Sequence, residues 1–281
     1  MVVITAETND DAYTIFETMN DRGLSLTPTD MLKGYLLAQI DDTKKRNAAV
    51  TIWKKQIQEF NKFEKEKDLE SDFVKAWFRS QYAEKIRERK RGATPQDFDK
   101  IGTEFHRWLR TIAPSIKLKD SEDFYKFIKV NFGFYSQRYL DIHKAANGFE
   151  PGLKHIRYNA DNGFTLQYMV LMAPLRIDDN DETIFKKLQI TSRFLDILIN
   201  RRLWNLRSTT YSTMQYAMFL VMKEIRGLAS EQLAEKLHEE LQKPENGTFV
   251  TVEDLGLNQQ NRKTIHNLLA RLTDYPLCHN D

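Results

Sequence analysis

The groups in this sequence whose type and spacing could do chemistry are cationic, and the chemistry they suit is phosphate binding. Five of them lie close together, preceded by Glu84 and interrupted by Glu88: Lys85, Arg87, Arg89, Lys90 and Arg91. On a helix end before Gly92, such a run can contact nucleic-acid phosphates in a sequence-blind, salt-sensitive way. It is also typical of a solvated helix end, where cations suit the negative end of the dipole, and that ordinary interpretation is favoured.

A second group of cations surrounds an indole. Arg201, Arg202 and Arg207 flank Trp204 at the end of a predicted apolar helix face. Arginines beside an indole can stack on bases or bind phosphate. They can equally cap a helix and pair with neighbouring acids, and both interpretations stay open.

A third group of polar residues lies in a predicted turn between two helices. Asn20, Asp21 and Arg22 precede Gly23, which can adopt the left-handed conformation that ends a helix. A corner of two helices presents such side chains rigidly. The alternative is that Asn20 and Asp21 only satisfy the turn while Arg22 pairs with a nearby acid.

The sequence shows no catalytic motif. Glycine-rich nucleotide loops, the His-Glu-x-x-His motif, the Gly-x-Ser-x-Gly motif and calcium loops do not occur. The six histidines have no pair at the spacing of three or four residues that places two metal ligands on one helix face. We therefore expect a chain that is not catalytic by itself and holds no metal.

The overall charge does not indicate a nucleic-acid binder, because 42 Lys and Arg face 40 Asp and Glu. Its distribution is uneven, since residues 1–42 contain eight acids and two bases. The single cysteine, Cys278, excludes a disulfide within the chain. The sequence has no signal-peptide pattern and no apolar run of membrane-spanning length, so we expect a cytoplasmic protein without a membrane contact.

Apolar residues recur at helical spacing along nearly the whole chain, which predicts an all-α fold, a bundle of many helices. The first helix is predicted near 9–21, with Ala12, Ile15, Phe16 and Met19 on one face. The next begins at Thr27-Pro28-Thr29-Asp30, where a hydroxyl cap, a proline and a carboxylate follow one another, and extends to about Ile40. The same start is predicted at Thr94-Pro95-Gln96-Asp97.

Two helical subdomains are predicted, 1–150 and 160–281, because the stretch 148–163 contains three glycines and a proline. Further helices are expected at about 164–173, 181–202, 209–226, 230–242 and 259–273. The exception to helix is Val2-Val3-Ile4-Thr5, a β-branched run typical of a buried strand. One strand cannot form a sheet, so its partners are expected outside this chain.

One segment resembles a known family. Phe16-Glu17-Thr18-Met19-Asn20-Asp21-Arg22-Gly23, followed by Leu26-Thr27-Pro28 and Asp30-Met31-Leu32-Lys33, is similar to the signature near the end of the N-terminal domain in GmrSD-type restriction endonucleases. The match covers about 35 residues. The family's upstream Asp-Gly-Gln-Gln-Arg motif and its downstream His-Asn-His nuclease motif are both absent from this chain.

The resemblance implies that the chain is the helical middle segment of a bacterial defence protein that targets DNA, including modified DNA. It implies a nucleotide triphosphate and a divalent metal in the parent protein, held by the flanking domains. Asn20, Arg22 and Lys33 are then expected to complete a nucleotide site or an interdomain contact, and the arginine-rich groups named above to contact DNA. Whether the chain forms a homo-oligomer stays open.

A rival interpretation is a helical scaffold that binds other proteins and never contacts DNA. The two classes differ in their salt behaviour, because DNA affinity falls steeply with salt when phosphate contacts dominate.

Overall fold

The computed structural model of the chain describes residues 26–63, 68–249, 259 and 261–277, the last six of these for their backbone alone. The predicted strand at Val2–Thr5, the first predicted helix and the polar corner at Asn20–Arg22 therefore lie outside the described residues. The described part is all-α, as predicted, and none of its residues forms a strand. No described helix is both long and apolar enough to cross a membrane.

The chain divides into two compact units, Met1–Leu140 and Asp141–Asp281. The described helices of unit 1 are α1 (Pro28–Ala38), α2 (Thr43–Asn61), α3 (Leu69–Tyr82), α4 (Asp97–Ile112) and α5 (Ser121–Lys126), followed by a π-helical segment (Phe127–Phe132). Helix α6 (Gly133–Asn147) crosses the division between the units. The division thus falls inside a helix, whereas the sequence suggested the glycine-rich stretch after residue 148.

Helix α1 begins as its local sequence predicts. The Thr27 hydroxyl accepts a hydrogen bond from the Asp30 backbone N–H at 3.1 Å, and the Asp30 carboxylate accepts one from the Thr27 N–H at 3.3 Å. This capping box satisfies two donors at the start of the helix. The predicted buried face is also confirmed, since Met31, Leu32, Tyr35 and Leu36 are all buried.

Aromatic side chains form the core of unit 1. Trp53 of α2 stacks on Phe132, with ring centroids 4.0 Å apart and planes at 7°. Phe73 and Trp77 of α3 stack at 5.6 Å. The π-helical segment contributes Phe132, together with the buried Phe127 and Ile128. A π turn inserts an extra residue into the helix, which shifts the apolar face relative to the preceding turn.

Helix α4 begins two residues later than the predicted start at Thr94-Pro95. Its N-cap is Gln96 and its first residue is Asp97, so Pro95 lies outside the helix. The displaced start leaves Asp97 and Asp99 in the first turn, where both carboxylates bind the preceding loop. The predicted buried stripe of this helix is confirmed, because Phe98, Ile101, Phe105, Trp108 and Leu109 are buried.

The described helices of unit 2 are α7 (Lys154–Asp161), α8 (Gln167–Met172), α9 (Asp181–Trp204), α10 (Tyr211–Ile225), α11 (Ser230–Gln242) and α12 (Arg262–Leu277). All of these except α7 match the predicted spans closely. Helix α7 lies within the stretch that the sequence suggested as a boundary loop. A 3-10 turn at Pro244–Asn246 follows α11. Helix α9 packs on α7, α8 and α11, so it is the central helix of this unit.

Candidate functional site

The predicted basic run lies in a loop, and the expectation of a helix end is wrong. Helix α3 ends at Tyr82, and residues 83–96 connect it to α4 without helix. All five cations of the run are exposed: Lys85, Arg87, Arg89, Lys90 and Arg91. We call residues 85–91 the basic loop. Its cations cannot be assigned to the negative end of a helix dipole, which was the ordinary explanation for them.

Carboxylates at the start of α4 hold the backbone of this loop. The Asp97 Oδ2 accepts hydrogen bonds from the N–H groups of Glu84 and Lys85, both at 3.1 Å. The Asp99 Oδ2 accepts one from the Arg87 N–H at 2.9 Å. The loop in turn caps the helix, because the Phe98 N–H donates to the Lys85 carbonyl at 3.0 Å.

The loop keeps a surplus of positive charge. Lys90 forms an ion pair with Glu88, with a distance of 2.5 Å between the Lys90 Nζ and a Glu88 oxygen. Within the described part of the chain, the side chains of Lys85, Arg87 and Arg91 have no acidic partner. A braced backbone with exposed, unneutralised cations is suited to binding phosphates.

The arginines around Trp204 are bound to backbone carbonyls instead. Arg201 donates to the carbonyl of Leu241 in the last turn of α11 at 2.6 Å, and Arg202 donates twice to the Ser208 carbonyl, at 3.1 and 3.0 Å. Arg207 donates to the Glu245 carbonyl at 2.9 Å. Burial, and to a lesser degree the charge of Arg207, lowers the pKa of the Arg202 guanidinium below its ordinary value.

These geometries separate the two predicted DNA-contacting groups. The guanidinium groups around Trp204 cap helix α11 and close the turns at Ser208 and Glu245, and Arg201 is itself half-buried. The indole of Trp204 contacts Phe249 edge-on, at 6.3 Å between ring centroids. The basic loop belongs to unit 1 and the Trp204 group to unit 2. Arg207 of the Trp204 group is also exposed, but its guanidinium is held by the Glu245 carbonyl.

Lys33 is the one residue of the predicted nucleotide or interdomain group that the structure describes. It is half-buried on α1 and lines a groove of about 740 Å³ in unit 1. We call this groove the α1–α3 groove, because α1, α2 and the start of α3 line it. Asn20 and Arg22 lie outside the described residues.

The α1–α3 groove has an apolar floor and a charged rim. Trp53 and Phe60 are buried beneath it, while Ile57 and Phe63 remain partly exposed in it. The rim carries the bases Lys33 and Lys54 and the acids Asp30, Asp68 and Glu70. Burial raises the pKa of the Glu70 carboxyl, the charge of Asp30 raises it further, and Lys33 partly opposes both. A cation beside Glu70 would therefore stabilise the ionised form of this partly buried carboxyl.

Sequence reasoning missed a buried polar cluster in unit 2. The Asp196 side chain on α9 is only 2% exposed, and its Oδ2 lies 2.7 Å from His155 Nδ1 of α7. Arg271 of α12 donates to the same oxygen, and Asn200 Nδ2 donates to Asp196 Oδ1 at 2.9 Å. The available sequence signal was an aspartate inside the apolar face formed by Phe194, Leu195, Leu198 and Ile199.

The described residues contain no group of three or more His, Cys, Asp or Glu side chains arranged to hold a metal ion. Comparison of the chain with family models, with curated proteins and with solved structures yields no match. The resemblance of residues 16–33 to the GmrSD-type family therefore stays a prediction.

Proposed function

We propose that this chain is a helical segment of a DNA-targeting bacterial defence protein of GmrSD type, not catalytic by itself, and that the basic loop provides its contact with DNA. The observation that carries the proposal is the basic loop: exposed cations on a backbone held by Asp97 and Asp99. A braced loop loses less conformational entropy on binding than a free one. The contact is with phosphates and is therefore independent of sequence.

The affinity of the purified chain for a short DNA duplex, measured over a salt series, tests whether the basic loop contacts DNA. The triple variant Lys85→Gln, Arg87→Gln, Arg91→Gln is expected to bind more weakly. The slope of log affinity against log salt should become shallower by about 2 to 3, since each lost phosphate contact contributes about 0.9 on duplex DNA.

A matched control removes three equally exposed cations of unit 1 that lie outside the basic loop: Lys44→Gln, Lys55→Gln and Lys119→Gln. Both variants change the net charge by the same amount, so a general charge effect would alter both alike. An equal loss of affinity in the two variants, or no DNA binding by the parent chain at low salt, would exclude the basic loop as the DNA contact.

The second candidate function is a protein-binding scaffold, and α10 carries the observation that favours it. Tyr216 and Leu220 lie one turn apart on this helix and are 36% and 44% exposed. An exposed apolar pair on a helix is suited to packing against another protein. Absence of DNA binding at low salt, together with DNA-independent capture of a protein partner that Leu220→Glu abolishes, would favour the scaffold.

The nucleotide triphosphate and the divalent metal belong to the flanking domains in this proposal, and the cytoplasm is its expected compartment. Asn20, Arg22 and Lys33 stay predicted contributors to a nucleotide site or an interdomain contact. In a protein that also carries the Asp-Gly-Gln-Gln-Arg motif, Asn20→Ala is expected to slow nucleotide hydrolysis, and an unchanged rate would remove that role.

A further inference from the structure

A second pocket, of about 400 Å³, lies where the first turns of α9 and α11 meet. We call it the α9–α11 pocket. Residues 229–231 at the start of α11 line it, and so do four residues of α9 and two of the loop before α9: Glu182, Thr183, Lys186, Lys187, Arg176 and Asp179. All of these residues belong to unit 2.

Helix α11 begins at this pocket without a side-chain cap. Its N-cap residue is Ala229, which has an extended backbone with φ −67° and ψ 158° but no side-chain acceptor. The N–H groups of Ser230 and Gln232 in the first turn therefore have no acceptor in the described part of the chain. Such N–H groups, together with the positive end of the helix dipole, favour an anion at this place.

Two buried side chains that line the pocket also lack acceptors. Ser230 is 7% exposed, and its hydroxyl forms no hydrogen bond with any residue that the structure describes. The Lys187 ammonium is 1% exposed and donates to the Pro174 carbonyl at 2.8 Å and to Asp179 Oδ2 at 2.6 Å. An ammonium has three N–H groups, so one of them has no described acceptor. Because an unsatisfied buried donor is costly, a ligand with acceptor oxygens is favoured here.

The acidic side chains of the pocket oppose an anion only weakly. Asp179 is paired with Lys187, and Glu231 is paired with Lys186 at 2.9 Å, so each of these two carboxylates is neutralised by a lysine. Glu182 is exposed, and water and salt screen its charge. The donors at the start of α11 and on Lys187 therefore meet little opposing charge.

We propose that the α9–α11 pocket binds the terminal phosphate group of a small molecule. The phosphate oxygens accept hydrogen bonds from the Ser230 hydroxyl, from the first-turn N–H groups of α11 and from the third N–H of Lys187. A carboxylate has only two oxygens for these donors, and a phosphodiester inside a DNA duplex does not reach an ammonium that is 1% exposed. The pocket volume is typical of small-molecule sites. The inference concerns unit 2 and does not depend on DNA binding by the basic loop of unit 1.

Titration of the full chain with inorganic phosphate tests the site, because this probe presents the proposed group and nothing else. The measurement is the amide NMR resonance of Gln232, followed at constant ionic strength so that general salt effects are held fixed. We expect a saturable shift with phosphate and none with acetate. Ser230→Ala should weaken phosphate binding about ten times, since it removes a hydrogen bond to a charged acceptor. Ser230→Thr, which keeps the hydroxyl, should bind nearly as well as the parent chain.

The matched control is Ser212→Ala, which removes an exposed serine from the first turn of α10 in the same unit and should leave phosphate affinity unchanged. Ser230→Pro removes the hydroxyl and the N–H together, at a helix position that accepts proline, and should abolish the saturable shift. The proposal is overturned by a parent chain without a saturable shift, by an equal response to acetate, or by equal affinities of Ser230→Ala and the parent. It is also overturned if duplex DNA without terminal phosphates displaces the phosphate. Because Gln232 reports on unit 2 alone, the outcome is separable from that of the DNA salt titration.

Discussion

At the scale of single residues, Asp196 of unit 2 is a buried carboxylate that three side chains bind. A carboxylate 2% exposed is stable there only because His155, Arg271 and Asn200 all donate to it. Its partners come from three helices, so one side chain joins α7, α9 and α12. The Asn200 Nδ2 also donates to the backbone carbonyl of Asp196 at 2.6 Å, which fixes the orientation of that amide.

We expect Asp196→Ala to destabilise the chain by about 3 to 5 kcal/mol, because it leaves buried donors without an acceptor. Asp196→Asn is the matched control, since it keeps an oxygen for His155 and Arg271 and loses only the negative charge and the bond from Asn200 Nδ2. Its cost should be clearly smaller. Urea unfolding followed by circular dichroism compares the two, and equal costs would show that lost hydrogen bonds do not determine the effect.

At the scale of elements, the start of α4 and the basic loop stabilise each other. Asp99 accepts from the N–H of Arg87 in the loop and from the N–H of Gln96 at the helix cap, at 2.9 and 3.1 Å. Hydrogen bonds to the following helix thus fix the conformation of the loop. The loop and Gln96 in turn satisfy groups at the start of that helix. Loss of one carboxylate should affect both.

Asp99→Ala is expected to speed tryptic cleavage inside the basic loop by roughly 5 to 30 times, since one to two hydrogen bonds at about 1 kcal/mol each no longer oppose local opening. Cleavage after Arg87, Arg89 and Lys90 follows the open population when opening is fast relative to cleavage. The control is Asp120→Ala, which removes a comparable cap at α5 and should leave cleavage in the loop unchanged. The same rate for parent and Asp99→Ala would mean that this carboxylate does not brace the loop.

At the scale of the whole molecule, the features that the sequence predicted are those determined within one or two helical turns. The Thr27–Asp30 capping box and the buried face of α1 depend on residues three or four apart. The features it missed depend on residues far apart in the chain. The hydrogen bonds from His155 and Arg271 to Asp196 join residues 41 and 75 positions apart in the sequence. The bond from the Lys85 N–H to Asp97 joins residues 12 positions apart. Periodicity contains no information about such contacts.

The positions of the four tryptophans allow the unfolding of the two units to be followed separately. Trp53, Trp77 and Trp108 belong to unit 1, and Trp204 belongs to unit 2. Tryptophan fluorescence therefore reports mainly on unit 1, whereas the helical dichroism signal comes from both units. Each unit has buried apolar residues of its own, among them Phe73 in the first and Phe194 in the second. We therefore expect the units to unfold at different denaturant concentrations.

The last prediction uses one core substitution in each unit. Phe194→Ala, which should cost about 3 to 5 kcal/mol, is expected to shift part of the dichroism transition while the fluorescence midpoint stays in place. Phe73→Ala should move the fluorescence midpoint. If either substitution shifts both signals equally, the chain unfolds as one cooperative body.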